Sequence, residues 1–228
     1  MLHGYLPAIL GGLSSTLTVA AVSLAIACIF GLLGAVAKLS ENRFARGIAG
    51  TYTTLIRGLP ELVLMLLIFY GGQIGINGIA DRFDLGYIDI NPFVAGTITL
   101  GFIFGAYLTE TFRGAILAIP RGQIEAGHAF GLKPREVMTR ITLPQMIRHA
   151  IPSFANNWLV MVKATALISI IGLDDMVHRA SLASSATNEP FTFYAAIALI
   201  YLGVTTVSIL ALGAVERRFS LGVRKAEL

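Results

Sequence analysis

The chain has 228 residues, of which 55% are apolar and 13% charged, with a mean hydropathy of +0.75. Disordered chains need low hydrophobicity and high charge, and soluble domains carry about 25% charged residues, so both classes are excluded. The single cysteine, Cys28, excludes a disulfide scaffold and a cysteine-ligated metal site. A polytopic membrane protein remains.

Five long runs with few charges predict five membrane-spanning helices, because about 20 apolar residues at a rise of 1.5 Å cross a bilayer. The predicted spans cover residues of about 10–38, 52–77, 93–118, 150–173 and 191–214. Helices are expected because backbone hydrogen bonds must close within each segment in lipid. The sequence therefore predicts an all-α fold with one transmembrane domain over residues 1–228. No positive region precedes the first span, so we interpret it as a retained helix and not a cleavable signal.

The basic residues predict the orientation of the spans. Lys and Arg concentrate after the first span, between the third and fourth spans, and in the tail, which holds Arg217, Arg218, Arg224 and Lys225. Cytoplasmic connections carry an excess of Lys and Arg, so the N-terminus is expected outside and the C-terminus in the cytoplasm. The same bias favours contact with anionic lipid. No nucleic-acid partner is expected, since the basic residues flank spans and do not form one face.

The connection between the third and fourth spans, at about residues 120–149, is too polar to cross a membrane. Helical spacing runs up to Gly131, and a glycine there can take the left-handed conformation that ends a helix. Pro134 is suited to begin a second helix, which Leu143-Pro144 would end. We expect a short helix–turn–helix at the membrane surface, which could bind lipid or a cytoplasmic partner.

This connection resembles the EAA loop of bacterial ABC-importer permeases, whose pattern is E-A-A-x3-G-x9-I-x-L-P. The residues that carry the resemblance are Glu125, Ala126, Gly127, Gly131, Ile141, Leu143 and Pro144. Gly127 departs from the pattern by replacing the second alanine, one small residue for another. Residues 52–61 and 105–114 also resemble permeases of polar amino acids, in particular those of importers for histidine, lysine, arginine and ornithine. The similarity extends over essentially the whole chain.

The resemblance implies a permease subunit of an ATP-driven, binding-protein-dependent importer in the bacterial inner membrane. It implies polar, basic amino acids as substrates, and as partners a second homologous permease, two cytoplasmic ATPase subunits and a periplasmic binding protein. It also implies that the ATPases move the EAA loop and so tilt the spans, which alternates access to a central path. The sequence has no G-x-x-x-x-G-K-[ST] motif to cradle nucleotide phosphates, so we expect no enzyme and no cofactor in this chain, with ATP and magnesium on the ATPase subunits.

The alternative is a secondary transporter or channel driven by an ion gradient. Such transporters often carry matching Gly/Pro-interrupted helices in two halves of the chain, and no corresponding pair is evident here. No catalytic residues are assigned. No metal site is expected either, because the four histidines are scattered without H-x-x-x-H spacing.

Three ionisable residues fall within predicted spans: Glu61, Glu110 and Lys163. An ionisable group at bilayer depth costs about 3 kcal/mol, so each needs a partner or a wet cavity. Arg57 and Glu61 are spaced i, i+4, and Glu110 and Arg113 are spaced i, i+3, so each pair could neutralise itself on one helix face. Alternatively, both glutamates line a cavity and face a cationic substrate.

Lys163 lies near the middle of the fourth predicted span, together with Asn157. These two residues are candidates for the substrate path, where Lys163 could hold a substrate carboxylate or could pair with Glu110. Asp174 and Asp175 follow at the outer end of this span. They could form a gate, a docking site for a binding protein, or a solvated helix end.

Overall fold

The computed structural model describes residues 2–219, and this part of the chain is helical with no strand. The α-helices are α1 (Leu6–Leu39), α2 (Arg43–Gly58), α3 (Glu61–Arg82), α4 (Pro92–Leu117), α5 (Arg121–Ala129), α6 (Pro134–Val137), α7 (Leu143–Ala164), α8 (Met176–Thr187) and α9 (Pro190–Phe219). A π-helical turn over Met138–Thr142 joins α6 to α7, and a 3-10 segment over Thr165–Ile171 extends α7.

Five helical stretches are long and apolar enough to cross a membrane, which confirms the all-α fold with five spans. They are Leu6–Leu39, Glu61–Arg82, Pro92–Leu117, Pro134–Ile171 and Pro190–Phe219. The first, third and fifth stretches overlap the predicted spans closely, and the second and fourth differ from them.

The prediction of one helix over residues 52–77 is wrong. Helix α2 ends at Gly58, and Leu59 is extended with φ −113° and ψ 148°. The ring of Pro60 disfavours a helical conformation of the residue before it, and the chain leaves the helix there. A new helix, α3, runs from Glu61 to Arg82 and is itself long and apolar enough to cross a membrane.

The prediction that Leu143-Pro144 ends a helix is also wrong. The π-helical turn is closed by the backbone N–H of Leu143, which donates to the carbonyl of Met138. Pro144 therefore falls in the first turn of α7, where a missing N–H is tolerated. The helical path consequently runs from Pro134 to Ile171, beginning well before the predicted position 150, until Gly172 ends it with a left-handed φ of 95°.

Helices α1 and α4 form the centre of the fold and pack through glycines. A Cβ atom at Gly34 would lie 2.2 Å from Thr109 Oγ1, and one at Gly101 would lie 2.4 Å from Ile26 Cγ2. Small residues of this kind let membrane helices approach closely without a hydrophobic driving force between them. By contrast, α3 and α9 bury little of their apolar surface, so most of each helix faces outward from the described chain.

Candidate functional site

A helical hairpin projects from the transmembrane bundle between α4 and α7, formed by α5, α6 and the π-helical turn (residues 121–142, hereafter the helical hairpin). Helix α5 ends as the sequence predicts, with Gly131 in the left-handed region at φ 80°. The N–H of Leu132 returns to the carbonyl of Gly127 at 3.1 Å, which closes the turn. At the start of α6, Glu136 accepts a hydrogen bond from the N–H of Lys133 at 3.0 Å, which caps the second helix.

The two arms of the helical hairpin pack on each other at Gly127. A Cβ atom there would lie 2.6 Å from Ile141 Cδ1 and 3.2 Å from Val137 Cγ2. The glycine that departs from the EAA pattern thus admits the Ile141 side chain to a tight contact. An alanine would need only the flexible end of Ile141 to shift, so this departure leaves the architecture of the helical hairpin intact.

The outer surface of the helical hairpin combines apolar and charged side chains. Phe130 is 88% exposed at the tip. Glu125 and Ala126 are also exposed, and Glu125 has no ion pair among residues 2–219. A shallow groove of about 510 Å³ lies beside Phe130 and extends to Pro144. An exposed phenylalanine beside an open groove is a suitable surface for a protein partner.

A second feature is an ion-pair network where α1, α2 and α4 meet. Lys38 Nζ donates to Glu110 Oε1 and also to Thr53 Oγ1, the latter at 2.7 Å. Arg113 donates to Glu110 Oε2 from Nε at 2.9 Å and from Nη2 at 2.8 Å. One carboxylate is thus held by two cations in a partly buried site. The i, i+3 pair of Glu110 and Arg113 is present as predicted.

The prediction that Lys163 could pair with Glu110 is wrong, because the Glu110 carboxylate is bound by Lys38 and Arg113. Lys38 is the first charge after an apolar run of more than thirty residues, and sequence reasoning treated it only as a flanking basic residue. The missed signal is that a lysine in the last turn of a membrane-spanning helix can reach a carboxylate on a neighbouring helix. Thr53 and Tyr107 were missed as well, since neither is ionisable at neutral pH.

The prediction that Arg57 and Glu61 pair on one helix is wrong, because the helix is interrupted at Leu59 and the two residues lie on different helices. Both side chains meet Tyr107 instead. The Arg57 guanidinium carbon lies 5.5 Å from the centre of the Tyr107 ring, and the Glu61 carboxylate lies close to the Tyr107 hydroxyl. Arg57 and Tyr107 line a polar cleft of about 500 Å³ together with Lys38 and Glu110.

Lys163 lies in a different place. It is exposed and lines a separate groove of about 550 Å³ with Tyr194, Tyr201 and Thr205. Asn157 is not in this groove: its Nδ2 donates to Thr111 Oγ1 at 3.0 Å, which ties α7 to α4. Tyr107 is thus the residue that Glu61 and Glu110 have in common as a neighbour, whereas Lys163 lines a groove that contains neither glutamate.

Asp174 and Asp175 differ in their surroundings. Asp174 is exposed and forms an ion pair of 2.7 Å with Arg179, whose hydrogen bonds lower the pKa of this carboxyl. Asp175 is fully buried; its Oδ1 caps α8 by accepting from the N–H of His178 at 2.8 Å, and its Oδ2 has no hydrogen-bond partner within residues 2–219. Burial raises the pKa of Asp175. The expectation of a solvated helix end is therefore wrong for Asp175, which caps a helix but is buried. A gate and a docking site for a binding protein stay predictions.

The comparisons with known proteins agree with this architecture. A model of the binding-protein-dependent transport system inner membrane component family matches residues 27–221. The histidine/lysine/arginine/ornithine transport system permease protein HisQ of Escherichia coli (strain K12) is 53% identical over 228 residues, covering 100% of both chains. The arginine ABC transporter permease protein ArtQ of Haemophilus influenzae is 40% identical over 205 residues, covering 90% of each chain. A crystal structure of an amino acid ABC transporter with histidines matches with a TM-score of 0.80 and 32% identity, covering 94% of this chain and 95% of that chain.

The described chain is an all-helical bundle with five candidate spans and a projecting helical hairpin. Transport permeases match it along its whole length, so it is a multi-pass membrane permease. The chain belongs to the family of binding-protein-dependent transport system inner membrane components. This confirms the resemblance to ABC-importer permeases for amino acids that the sequence motifs indicated. The alternative of a secondary transporter or channel is not favoured.

Proposed function

We propose that the chain is one permease of an ATP-driven importer for basic amino acids, namely histidine, arginine, lysine and ornithine. The proposal is supported by the histidine, lysine, arginine and ornithine for which the HisQ permease is named and by the arginine for which ArtQ is named. In this proposal the chain forms a heterodimer with a second, homologous permease. Two cytoplasmic ATPase subunits hold the ATP and magnesium, and a periplasmic protein delivers the amino acid.

The proposed orientation places the N-terminus in the periplasm and the C-terminus in the cytoplasm. The basic residues that support it flank the ends of α1, α4 and α9, for example Arg43, Arg121 and Arg217. Arg224 and Lys225, which contribute to the same bias, lie outside the described residues. This orientation puts the helical hairpin on the side of the ATPases.

The observation that carries the proposal is the helical hairpin with Phe130 exposed at its tip. Helix α4 leads into it through only three residues, and its second arm continues into α7 without a break in the helical path. A helix is stiff, so a displacement of the docked hairpin would tilt α7 and pull on α4. The residues proposed to couple to the ATPase are Glu125, Ala126, Gly127, Gly131, Ile141, Leu143 and Pro144.

The proposed substrate path uses the charges within the spans in different ways. Glu110 already has two cationic partners, so we assign it to holding α1 and α4 together. Glu61 has no ion pair among the described residues and is the better candidate for contact with a cationic side chain. Lys163 is the candidate for the substrate carboxylate. Glu61 lies beside Tyr107, which lines the polar cleft, whereas Lys163 lines the separate groove with Tyr201. In this proposal the two residues act at successive positions along the path, and Asn157 holds the wall between α4 and α7.

The docking role is tested by replacing Gly131 with valine and comparing Gly86→Val. Both glycines have left-handed φ values, 80° and 71°, and open space around the missing Cβ, so both substitutions impose similar backbone strain of about 1–3 kcal/mol. Only Gly131 lies in the helical hairpin. We expect both variants to insert into the membrane, with Gly131→Val losing co-purification of the ATPase and ATP-dependent uptake of labelled arginine.

Gly86→Val should keep both activities, since it lies in the connection between α3 and α4 on the opposite side. Wild-type uptake by Gly131→Val would argue against docking through the helical hairpin. Equal losses in both variants would assign the effect to general strain, which would also count against the proposal.

A further inference from the structure

The helical hairpin joins the membrane helix α7 through the π-helical turn at Met138–Thr142. In this turn the N–H of Leu143 donates to the carbonyl of Met138, five positions back, so the turn holds one residue more than a regular α-helical turn. Single π-helical turns inside α-helices are frequent at functional sites. The helical path from the hairpin into α7 is thus continuous but not regular.

The pattern of buried side chains along this path explains the additional residue. The buried positions are Val137, Thr142, Met146 and Ala150. A regular helix repeats its buried face every three or four residues, so the five-residue step from Val137 to Thr142 needs one more residue in the turn. With that residue, Val137 stays against Gly127 inside the hairpin while Thr142 continues the buried face of α7.

The backbone hydrogen bonds are weakened at the same place. Pro144 has no N–H, so the carbonyl of Arg140 receives no hydrogen bond from the residue four positions after it. Thr139 Oγ1 donates to the carbonyl of Arg135 at 2.9 Å, a contact of the kind that bends helices. Met138, Thr139 and Arg140 are exposed, so little packing restrains this side of the turn. The π-helical turn therefore resists bending less than a regular, packed helix does.

The angle between the helical hairpin and α7 matters because the hairpin must stay docked while α7 moves. The arm from Pro134 to Thr142 is about 13 Å long at a rise of 1.5 Å per residue. If α7 tilted by about 15°, as in rigid-body rotations of switching proteins, a rigidly attached arm would swing by about 3 Å at its far end. Packed carbon atoms lie about 3.5–4 Å apart, so a swing of this size would separate docked surfaces.

We propose that the π-helical turn is a hinge, at which α7 changes its tilt while the helical hairpin keeps its position on the ATPase. A displacement of the hairpin still moves the adjoining end of α7, because the chain is continuous there. The angle between the two parts is free to change. The hinge role rests on the proposed function, since the turn lies on the path from the ATPase to the membrane.

The test compares chains with and without the additional residue in the assembled importer in lipid vesicles. Pro144→Ala removes the proline ring and keeps the additional residue. Deleting Thr139 from that variant leaves a four-residue step between Val137 and Thr142, which a regular α-helix accommodates. Thr139→Ser is the matched control, since it keeps both the residue count and the hydroxyl. For each chain we would measure the Tm, co-purification of the ATPase, and arginine uptake per ATP hydrolysed.

Thr139→Ser should match the wild type, and Pro144→Ala should lose less than the deletion does. The deletion should keep the ATPase bound but lower arginine uptake per ATP by at least about tenfold relative to Pro144→Ala, because a hinge acts on turnover. Equal uptake per ATP with and without the additional residue would overturn the hinge. Loss of ATPase binding on deletion would also overturn it, since the turn would then set the register of the docked surface.

Complete loss of uptake in Pro144→Ala alone would count against the hinge as well, because that chain retains the additional residue. Failure of the proposed function is a separate result. In that case the unmodified chain would not bind an ATPase, or its uptake would not require ATP.

Discussion

The ion-pair network of Lys38, Glu110 and Arg113 makes a specific prediction about the role of Glu110. Replacing Glu110 with glutamine keeps the size of the side chain but removes the charge that two cations share. It leaves the ammonium of Lys38 and the guanidinium of Arg113 close together in a site where the Lys38 and Glu110 side chains are each only 19% exposed. We therefore expect Glu110→Gln to destabilise the fold.

The magnitude follows from the partial burial of the network. Breaking a fully buried ion pair costs about 3–5 kcal/mol, whereas an exposed pair contributes about 0–1 kcal/mol. The intermediate burial here suggests about 2–3 kcal/mol for Glu110→Gln. Lys38→Met should cost only about 1 kcal/mol, because Glu110 then retains its two hydrogen bonds from Arg113.

The assay is thermal unfolding in detergent of the two single variants and of the double variant. A loss of 2–3 kcal/mol corresponds to a Tm decrease of about 5–10 °C for a chain of this size. The double variant should be more stable than the sum of the single losses predicts, with a coupling free energy of about 1–2 kcal/mol. Additive losses would refute the network. An unchanged Tm together with altered uptake would show that Glu110 faces the substrate instead.

Three further predictions concern other parts of the fold. Gly12→Ala should cost about 1–3 kcal/mol of stability, measured by Tm, because its Cβ would lie 2.5 Å from the backbone nitrogen of Met176, which cannot move aside; Gly47→Ala, with open space around it, should cost nothing. Asp175→Asn should keep the cap of α8 and stabilise the chain at neutral pH, whereas Asp175→Ala should lose about 1 kcal/mol. Burial raises the pKa of Asp175, so its protonated carboxyl favours the folded state at low pH. This contribution to stability should disappear as the pH rises through the pKa of the folded state. The prediction is contradicted if the Tm of Asp175→Asn depends on pH in the same way as that of the wild type. Lys163→Met should raise the KM of uptake without lowering the Tm, since Lys163 has no ion pair among the described residues, and an unchanged KM would remove it from the proposed path.

The number and class of the spans could be predicted from the sequence because hydropathy and helix length are local properties. The turn of the helical hairpin was predictable for the same reason, since Gly131 and Pro134 act on the backbone at their own positions. Local rules failed where two signals competed. At Pro60 the long apolar run predicted one continuous helix, although the proline interrupts it. At Pro144 the proline predicted a helix end, but a π-helical turn precedes it and the helical path continues.

The partners of the charged side chains could not be predicted from spacing alone. Lys38 and Glu110 are 72 residues apart, and they meet because glycines bring α1 against α4. Spacing along the chain suggested a partner four residues away for Glu61, whereas the fold supplies Tyr107 from another helix. Such contacts depend on helix packing, which hydropathy does not encode.

In the proposed mechanism, ATP hydrolysis on partner subunits, transmitted through the helical hairpin, drives transport through this chain. Arginine accumulation can be measured in vesicles that contain the chain assembled with its permease partner, ATPases and binding protein. We expect accumulation to require ATP on the side of the helical hairpin and to persist after ionophores collapse the proton and sodium gradients. Accumulation that follows an imposed ion gradient in the absence of ATP would contradict it.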